Sequence, residues 1–191
     1  MREHWLFSIV VLLLSLSAEA DSMNASIDAS GQTYQGNLAV NQAAGHLQQQ
    51  VNSRALAVGG EGVATNTVVQ RQGDLLQSTS PLDTQASITG DSFSNGSGIV
   101  GINQAAGIAN QQINSASVAL IAAPESLDDS VLAQSVTRPN DSASTVSTLA
   151  GERRVDMSNE AFAGSRGVVQ LNQSAGIGNR SANHLSIRVV D

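Results

Sequence analysis

A segment of 23 residues occurs three times in this chain, and the repetition restricts the folds open to it. The three copies align without a gap, and they cover residues 36–58, 98–120 and 167–189. Their central motif, Asn-Gln-Ala/Ser-Ala-Gly, begins at Asn41, Asn103 and Asn172, at intervals of 62 and 69 residues. Such recurrence is typical of proteins in which copies of one unit stack and cover each other's surfaces. The pattern therefore favours a building element over a catalyst.

Aliphatic residues alternate within each copy, and the alternation predicts β-strands. In the first copy Leu38 and Val40 are two positions apart, as are Leu56 and Val58, and the other copies are aliphatic at the same positions. A spacing of two places side chains on one face of a strand, whereas a helix needs spacings of three and four.

A glycine interrupts the middle of each copy, where we expect a sharp bend. These bend glycines are Gly45, Gly107 and Gly176. Glycine adopts backbone conformations that other residues avoid. Each copy is thus interpreted as strand, bend and strand, forming a β-arc or a hairpin. The run at residues 48–52 is also compatible with the start of a helix, because Gln is a good helix former.

Side-chain amides occupy fixed columns of the alignment, and they are our candidate self-assembly residues. The columns contain Asn41, Gln42, Asn52, Asn103, Gln104, Asn114, Asn172, Gln173 and Asn183. An amide both donates and accepts hydrogen bonds, so identical amides stacked along an axis form ladders. The alternative is an exposed strand face. That alternative predicts variation between the copies, and these columns do not vary.

Two connecting segments, residues 59–92 and 121–161, separate the copies. They are rich in Ser, Thr, Asp and Gly and contain all three prolines, which predicts largely disordered linkers. Phe93 and Phe162 each stand ten positions before the first Asn of their copy. This position indicates that copies two and three extend upstream and that copy one is a variant end.

The predicted fold is all-β, with three imperfect repeats in a β-solenoid-like or cross-β stack joined by long polar, largely disordered linkers. We divide the chain into a signal peptide at 1–20, a lead at 21–35, repeat one at 36–58, a linker at 59–92, repeat two at 93–120, a linker at 121–161, and repeat three with the C-terminus at 162–191.

The first twenty residues have the features of a secretory signal peptide. Arg2 and His4 precede an apolar run, and Ala18-Glu19-Ala20 fits the cleavage pattern. The run spans about a dozen residues, which is short for a membrane span, although an uncleaved anchor helix is the alternative. We expect the mature chain to begin near Asp21, to be secreted, and to have no membrane span.

Composition excludes several classes of function. The mature chain has 8 basic and 14 acidic residues, a net charge of −6, which argues against nucleic-acid binding. The chain has no Cys, so disulfide frameworks and thiol chemistry are excluded. His46 and His184 stand in different columns and match no metal-binding motif. We therefore expect no enzyme activity, no cofactor and no metal site.

The three copies, the Asn-Gln-Ala-Ala-Gly core followed by Asn110-Gln111-Gln112, and the long variable connections resemble the Fap-type functional amyloid subunits of biofilm-forming bacteria. The chain departs from that family in lacking a Cys-containing motif near its C-terminus. The resemblance implies export through the periplasm and an outer-membrane pore, followed by assembly outside the cell with itself and related subunits. The predicted function is an extracellular fibre subunit that supports biofilm formation and adhesion. An accessory protein or chaperone of fibre assembly, or a surface adhesin, are the alternatives.

Overall fold

The regular structure of the described residues consists of β-strands. The computed structural model describes residues 21–59, 64, 66–72, 81–121, 135–137 and 151–190. Its strands are β1 (Asp21–Asp28), β2 (Gln35–His46), β3 (Gln49–Val58), β4 (Val69–Arg71), β5 (Leu82–Thr89), β6 (Ser97–Ile108), β7 (Gln111–Ile121), β8 (Ser135–Thr137), β9 (Arg153–Met157), β10 (Arg166–Ile177) and β11 (Arg180–Val190). None of the described residues form a helix that could cross a membrane. The all-β prediction is confirmed.

Equivalent strands of the three copies pair with one another in parallel. The first sheet has the order β1-β5-β9, the second β2-β6-β10 and the third β3-β7-β11, and a two-stranded sheet joins β4 to β8. The second copy is the middle strand of every three-stranded sheet. We call β1–β4 layer 1, β5–β8 layer 2 and β9–β11 layer 3.

The two strands of a copy pair with other copies and not with each other, so each copy is an arc and not a hairpin. The register is exact across the layers, and Asn103 lies between Asn41 and Asn172. Because side chains alternate along a strand, the second sheet presents one face to the first sheet and the other to the third. The run at residues 48–52 belongs to the turn and to β3, so the helical alternative is wrong.

Several strands lie inside the segments that were predicted to be disordered linkers. Of the described residues, β4 and β5 fall within 59–92, and β8 and β9 fall within 121–161. The prediction was wrong for these strands. In β5 the buried positions are Leu82, Thr84, Ala86, Ser87 and Ile88, which include small and polar residues. Their burial depends on pairing with β1 and β9, which the composition of the segment does not reveal.

Copy one also extends upstream, contrary to its interpretation as a variant end. The strand β1 pairs with β5 along its whole length. The copies differ instead in the length of the turn after this strand. The turn between Asp28 and Gln35 in copy one is one residue shorter than the turn between their partners Thr89 and Ser97 in copy two. Within that turn Gly31 leaves room for an aromatic ring. A Cβ atom on Gly31 would lie 2.6 Å from Cδ1 of Phe93.

The apolar core lies between the first and second sheets. Its buried side chains are Ile27, Tyr34, Ile88, Phe93, Val100 and Ile102. Phe93 is 1% exposed, and its ring stacks on that of Phe162 with centroids 5.3 Å apart. The ring stack therefore joins layer 2 to layer 3 in a chain with few aromatic residues.

We expect Phe162→Leu to lower the free energy of unfolding by about 1 kcal/mol, because the change removes the aromatic stacking but retains an apolar side chain. Urea-induced unfolding followed by circular dichroism measures the effect. Met157→Leu is a suitable control, since Met157 is in the same layer and 54% exposed. An equal loss in both variants would show that the stacked rings contribute nothing specific.

Candidate functional site

The nine amide residues selected from the sequence lie between the sheets, in two separate places. The Asn residues face the gap between the second and third sheets, where Asn41 of β2 meets Asn52 of β3. The Gln residues face the first sheet, where Gln42 donates to the backbone oxygen of Ser26. Neighbouring positions on one strand thus serve two different interfaces.

The Asn residues form one continuous hydrogen-bonded network through all three layers. Within a layer, Asn114 Nδ2 donates to Asn103 Oδ1 at 3.0 Å. Between layers, Asn103 Nδ2 donates to Asn41 Oδ1 and Asn172 Nδ2 to Asn103 Oδ1, each at 3.0 Å. Asn183 continues the network in layer 3 by donating to Asn114 Oδ1. The network links two sheets that have no backbone hydrogen bonds to each other in the described residues.

Five of the six Asn residues also donate to a backbone carbonyl of the facing sheet, and they are Asn52, Asn103, Asn114, Asn172 and Asn183. Asn103 Nδ2 donates to Val51 O at 2.9 Å, and Asn114 Nδ2 donates to Ile102 O at 2.9 Å. Asn103 and Asn114 are 0% exposed. A buried amide without partners is costly, so this complete pairing allows a polar interface to exist inside the fold.

The Gln column repeats the same pattern on the opposite face of the second sheet. Gln104 Nε2 donates to Gln42 Oε1 at 2.7 Å, and Gln173 Nε2 donates to Gln104 Oε1 at 2.8 Å. Gln104 Nε2 also donates to backbone oxygens of the first sheet, to Ser87 O at 2.8 Å and to Ala25 O at 3.2 Å. These bonds hold the first sheet against the second beside the apolar core.

The bend glycines have backbone conformations that side chains rarely adopt. The φ angles of Gly45, Gly107 and Gly176 are 115°, 120° and 122°. They lie next to the last residue of their strands, so each strand ends one residue after its bend glycine. A Cβ on Gly107 would be 2.0 Å from the oxygen of Gly176, which leaves no space for a methyl group between the layers.

A second glycine column, which we did not select from the sequence, makes an equally close contact. A Cβ on Gly98 would be 1.9 Å from the oxygen of Gly36, and one on Gly167 would be 2.1 Å from the oxygen of Gly98. The sequence contained the signal, since this column holds one residue type in all three copies.

Further amides beyond the selected columns bind across the layers. Gln111 Nε2 donates to Gln49 Oε1 at 2.9 Å, and Arg180 Nε donates to Gln111 Oε1 at 2.9 Å. In the turn, Asn110 Nδ2 donates to Gly176 O at 3.2 Å. These columns vary between the copies. Our selection from the sequence took only columns with identical residues and therefore missed them.

The charged side chain of Arg54 enters the interior. Arg54 extends over Gly101, where a Cβ would lie 1.8 Å from Nη2 of Arg54, and its Nη1 donates to Ser53 O at 2.9 Å. Burial lowers the pKa of Arg54 below its ordinary value. Glycine at position 101 thus makes space for a guanidinium that no other copy has at the equivalent position.

In the strands that the structure describes, the two outer layers have open edges. The strands β1, β2 and β3 end their sheets on the side of layer 1, and β9, β10 and β11 end them on the side of layer 3. An edge strand carries backbone groups able to pair with another strand. In the part of the chain that the structure describes, no three His, Asp or Glu residues are grouped as metal ligands would be. The arrangement of the edge strands supports pairing with further strands.

Comparison with protein families gives one match that covers most of the chain. The model of the functional amyloid protein FapB/FapC family matches residues 14–190. No solved structure matches the chain. The matched range includes all eleven strands and both glycine columns.

Proposed function

The chain belongs to the functional amyloid protein FapB/FapC family, and we propose that it is a self-assembling subunit of an extracellular amyloid fibre. The observation that supports this role is the pair of open edges. Within the described residues, each of the three-stranded sheets has an edge strand on both sides, and the parallel register places these edges at the same two ends of the stack.

In the proposed mechanism, one copy of the protein extends the sheets of another. The backbone groups of an open edge pair with the strands of the next copy, and the stacked amides continue the Asn and Gln ladders. The nine amide residues selected from the sequence would then form hydrogen bonds both within the subunit and between subunits. Their repetition at every layer supports this proposal, because a new layer would meet the same partners that the internal layers already have.

The proposed fibre forms outside the cell and supports biofilm formation and adhesion. We propose export through the periplasm and an outer-membrane pore of the same pathway, with removal of residues 1–20. The family membership and the features of the first twenty residues support this route. The partners are other copies of this chain and related subunits.

We expect purified residues 21–191 to form fibres at micromolar concentration, because no further component is needed to pair the open edges. Fibre diffraction should show a reflection at about 4.7–4.8 Å along the axis, the spacing of paired strands. A chain that stays monomeric and slows fibre formation by a related subunit would contradict the proposal and support the accessory role.

A further inference from the structure

The chain contains a single Asn-Gly pair, Asn95-Gly96, in the turn between β5 and β6. An asparagine before a glycine loses its amide readily, because glycine has no side chain that hinders its nitrogen from reaching the side-chain carbonyl carbon of the asparagine. Asn95 is exposed, so water reaches it. The pair is therefore a chemically reactive position, and its environment decides whether the reaction takes place.

The reaction has two steps and consumes only water. The nitrogen of Gly96 attacks Cγ of Asn95, so that a bond forms between these atoms while the bond from Cγ to Nδ2 breaks. The proton leaves the nitrogen of Gly96, and the side-chain amide departs as ammonia. Water then opens the cyclic imide at either carbonyl. The products are aspartate and an isoaspartyl linkage, in which the main chain runs through the former side chain and is one carbon longer.

Layer 3 holds the backbone of this pair through the turn between β9 and β10. Asn95 N donates to Ala163 O at 2.8 Å. Gly96 N donates to Ser165 Oγ at 3.2 Å, and Gly96 O accepts from Arg166 N at 2.9 Å. Formation of the imide requires the Gly96 nitrogen to leave its acceptor and the peptide to rotate towards the side chain. The three hydrogen bonds oppose both movements.

The neighbouring turns also fix the position of the pair. A Cβ on Gly164 would be 2.6 Å from Asn95 Oδ1, so the side-chain amide lies across a residue of layer 3 that has no side chain. On the side of layer 1, a Cβ on Gly96 would be 1.9 Å from Cε1 of Tyr34. The φ angle of Asn95 is 54°, in the left-handed region that asparagine enters more readily than most residues. The pair is thus enclosed between two layers.

We propose that Asn95 is a site of spontaneous deamidation that the docking of layer 3 protects. A chain in which layer 3 is not in place lacks the three hydrogen bonds, and its Asn95-Gly96 pair reacts. An isoaspartyl linkage lengthens the backbone between the groups that bind Ala163 and Arg166, so the three bonds can no longer form together. A chain that stays unfolded therefore loses the ability to complete its stack, whereas a chain that folds promptly keeps it.

The first test compares the folded and the unfolded protein. The mature chain is kept at neutral pH in buffer, monomeric or assembled, and in guanidinium chloride, and peptide mass spectrometry follows the conversion of Asn95. The folded chain reacts only when the turn opens. Three hydrogen bonds of about 0.5–1.5 kcal/mol each close the turn, so the folded chain should react at least roughly tenfold more slowly. Equal rates, or no conversion in denaturant, would overturn the proposal.

Ser165→Ala tests whether layer 3 provides the protection. Alanine removes the oxygen that accepts from Gly96 N, and that oxygen is itself oriented by donating to Phe93 O. The folded variant should convert Asn95 roughly tenfold faster than the unchanged protein, while the rate in denaturant stays the same. Ser165→Thr retains the hydroxyl group and should restore the slow rate. Ser186→Ala, at an exposed position of the same layer, is the matched control and should have no effect.

Conversion in folded Ser165→Ala that is as slow as in the unchanged protein would contradict a protective role of layer 3. So would conversion in Ser165→Thr that is as fast as in Ser165→Ala. Circular dichroism checks that the variants fold. If Ser165→Ala does not fold, the comparison of the folded and unfolded unchanged chain still decides the outcome.

The consequence for the stack is measured by hydrogen exchange at the Arg166 amide, which donates to Gly96 O. Protein held in denaturant until Asn95 has reacted is returned to buffer. Its isoaspartyl chains should lose the exchange protection of Arg166. Asn95→Asp is the control, because it carries the new charge on an ordinary linkage, and it should keep most of that protection. Full protection in the isoaspartyl chains would show that the modification does not affect the docking of layer 3, and the proposed loss of folding competence would be wrong.

Discussion

Gly107→Ala is expected to lower the free energy of unfolding by about 4 kcal/mol. The new methyl group would be 2.0 Å from the backbone oxygen of Gly176, so layers 2 and 3 must move apart or the bend must change. Overpacking of this kind costs roughly 1–3 kcal/mol. The φ angle of 120° adds a strain of roughly 1–3 kcal/mol for a residue with a side chain. Urea-induced unfolding of the monomer measures the sum.

The control for this prediction is Gly176→Ala, which has nearly the same φ angle of 122° but whose Cβ would have side-chain atoms as its nearest described neighbours, the first being Arg153 Cδ at 3.1 Å. We expect it to lose only the strain, about 1–2 kcal/mol. The difference between the two variants then isolates the contact between layers. Equal losses would mean that layers 2 and 3 are not in close contact at the bend.

Repetition in the sequence predicted the parts of the fold in which each layer uses the same residue. Asn41, Asn103 and Asn172 are bonded to one another through the layers, with Asn103 in the middle, so comparison of the copies finds them. The prediction did not separate the roles of adjacent amides. Asn41 and Gln42 are neighbours on β2, and the two-residue period places them on opposite faces, towards different sheets.

The strands upstream of the motif were missed because their residues give a weak apolar signal. In β5, Thr84 and Ser87 are buried, and in β9 the aliphatic Val155 is 49% exposed. Whether such a segment becomes a strand depends on a partner in another copy, roughly sixty residues away. The sequence also left open whether each copy is an arc or a hairpin, because both show the same alternation within one copy and differ only in which strand is the partner.

In the third sheet, by contrast, apolar residues that were expected to be buried are exposed. Leu56 and Val58 alternate as a buried strand face would, but they are 70% and 71% exposed. The equivalent Leu120 and Val189 are 44% and 48% exposed. Alternation predicts the strand correctly but does not say whether another sheet covers that face. These residues form an apolar stripe that crosses all three layers, parallel to the axis of the stack.

Asn103→Leu tests whether the amide network stabilises the interior, and we expect it to lower the free energy of unfolding by about 3 kcal/mol. Leucine has a similar size but neither donates nor accepts. The change removes the bonds from Asn103 Nδ2 to Asn41 Oδ1 and to Val51 O. It also removes the Oδ1 acceptor that Asn114 and Asn172 share. Each buried polar group left without a partner costs roughly 1–3 kcal/mol.

The matched control is Asn37→Leu, the same substitution at an exposed position of β2. Its neighbour across the sheet is Ile99, so a leucine there meets an apolar residue and should change the free energy of unfolding by less than about 0.5 kcal/mol. Fibres of Asn103→Leu should also dissolve at a lower denaturant concentration than fibres of Asn37→Leu. Because Asn103 is in the middle layer, its loss interrupts the network in every subunit. Similar small effects at both positions would show that backbone pairing alone holds the second and third sheets together, and the ladder mechanism would then be wrong.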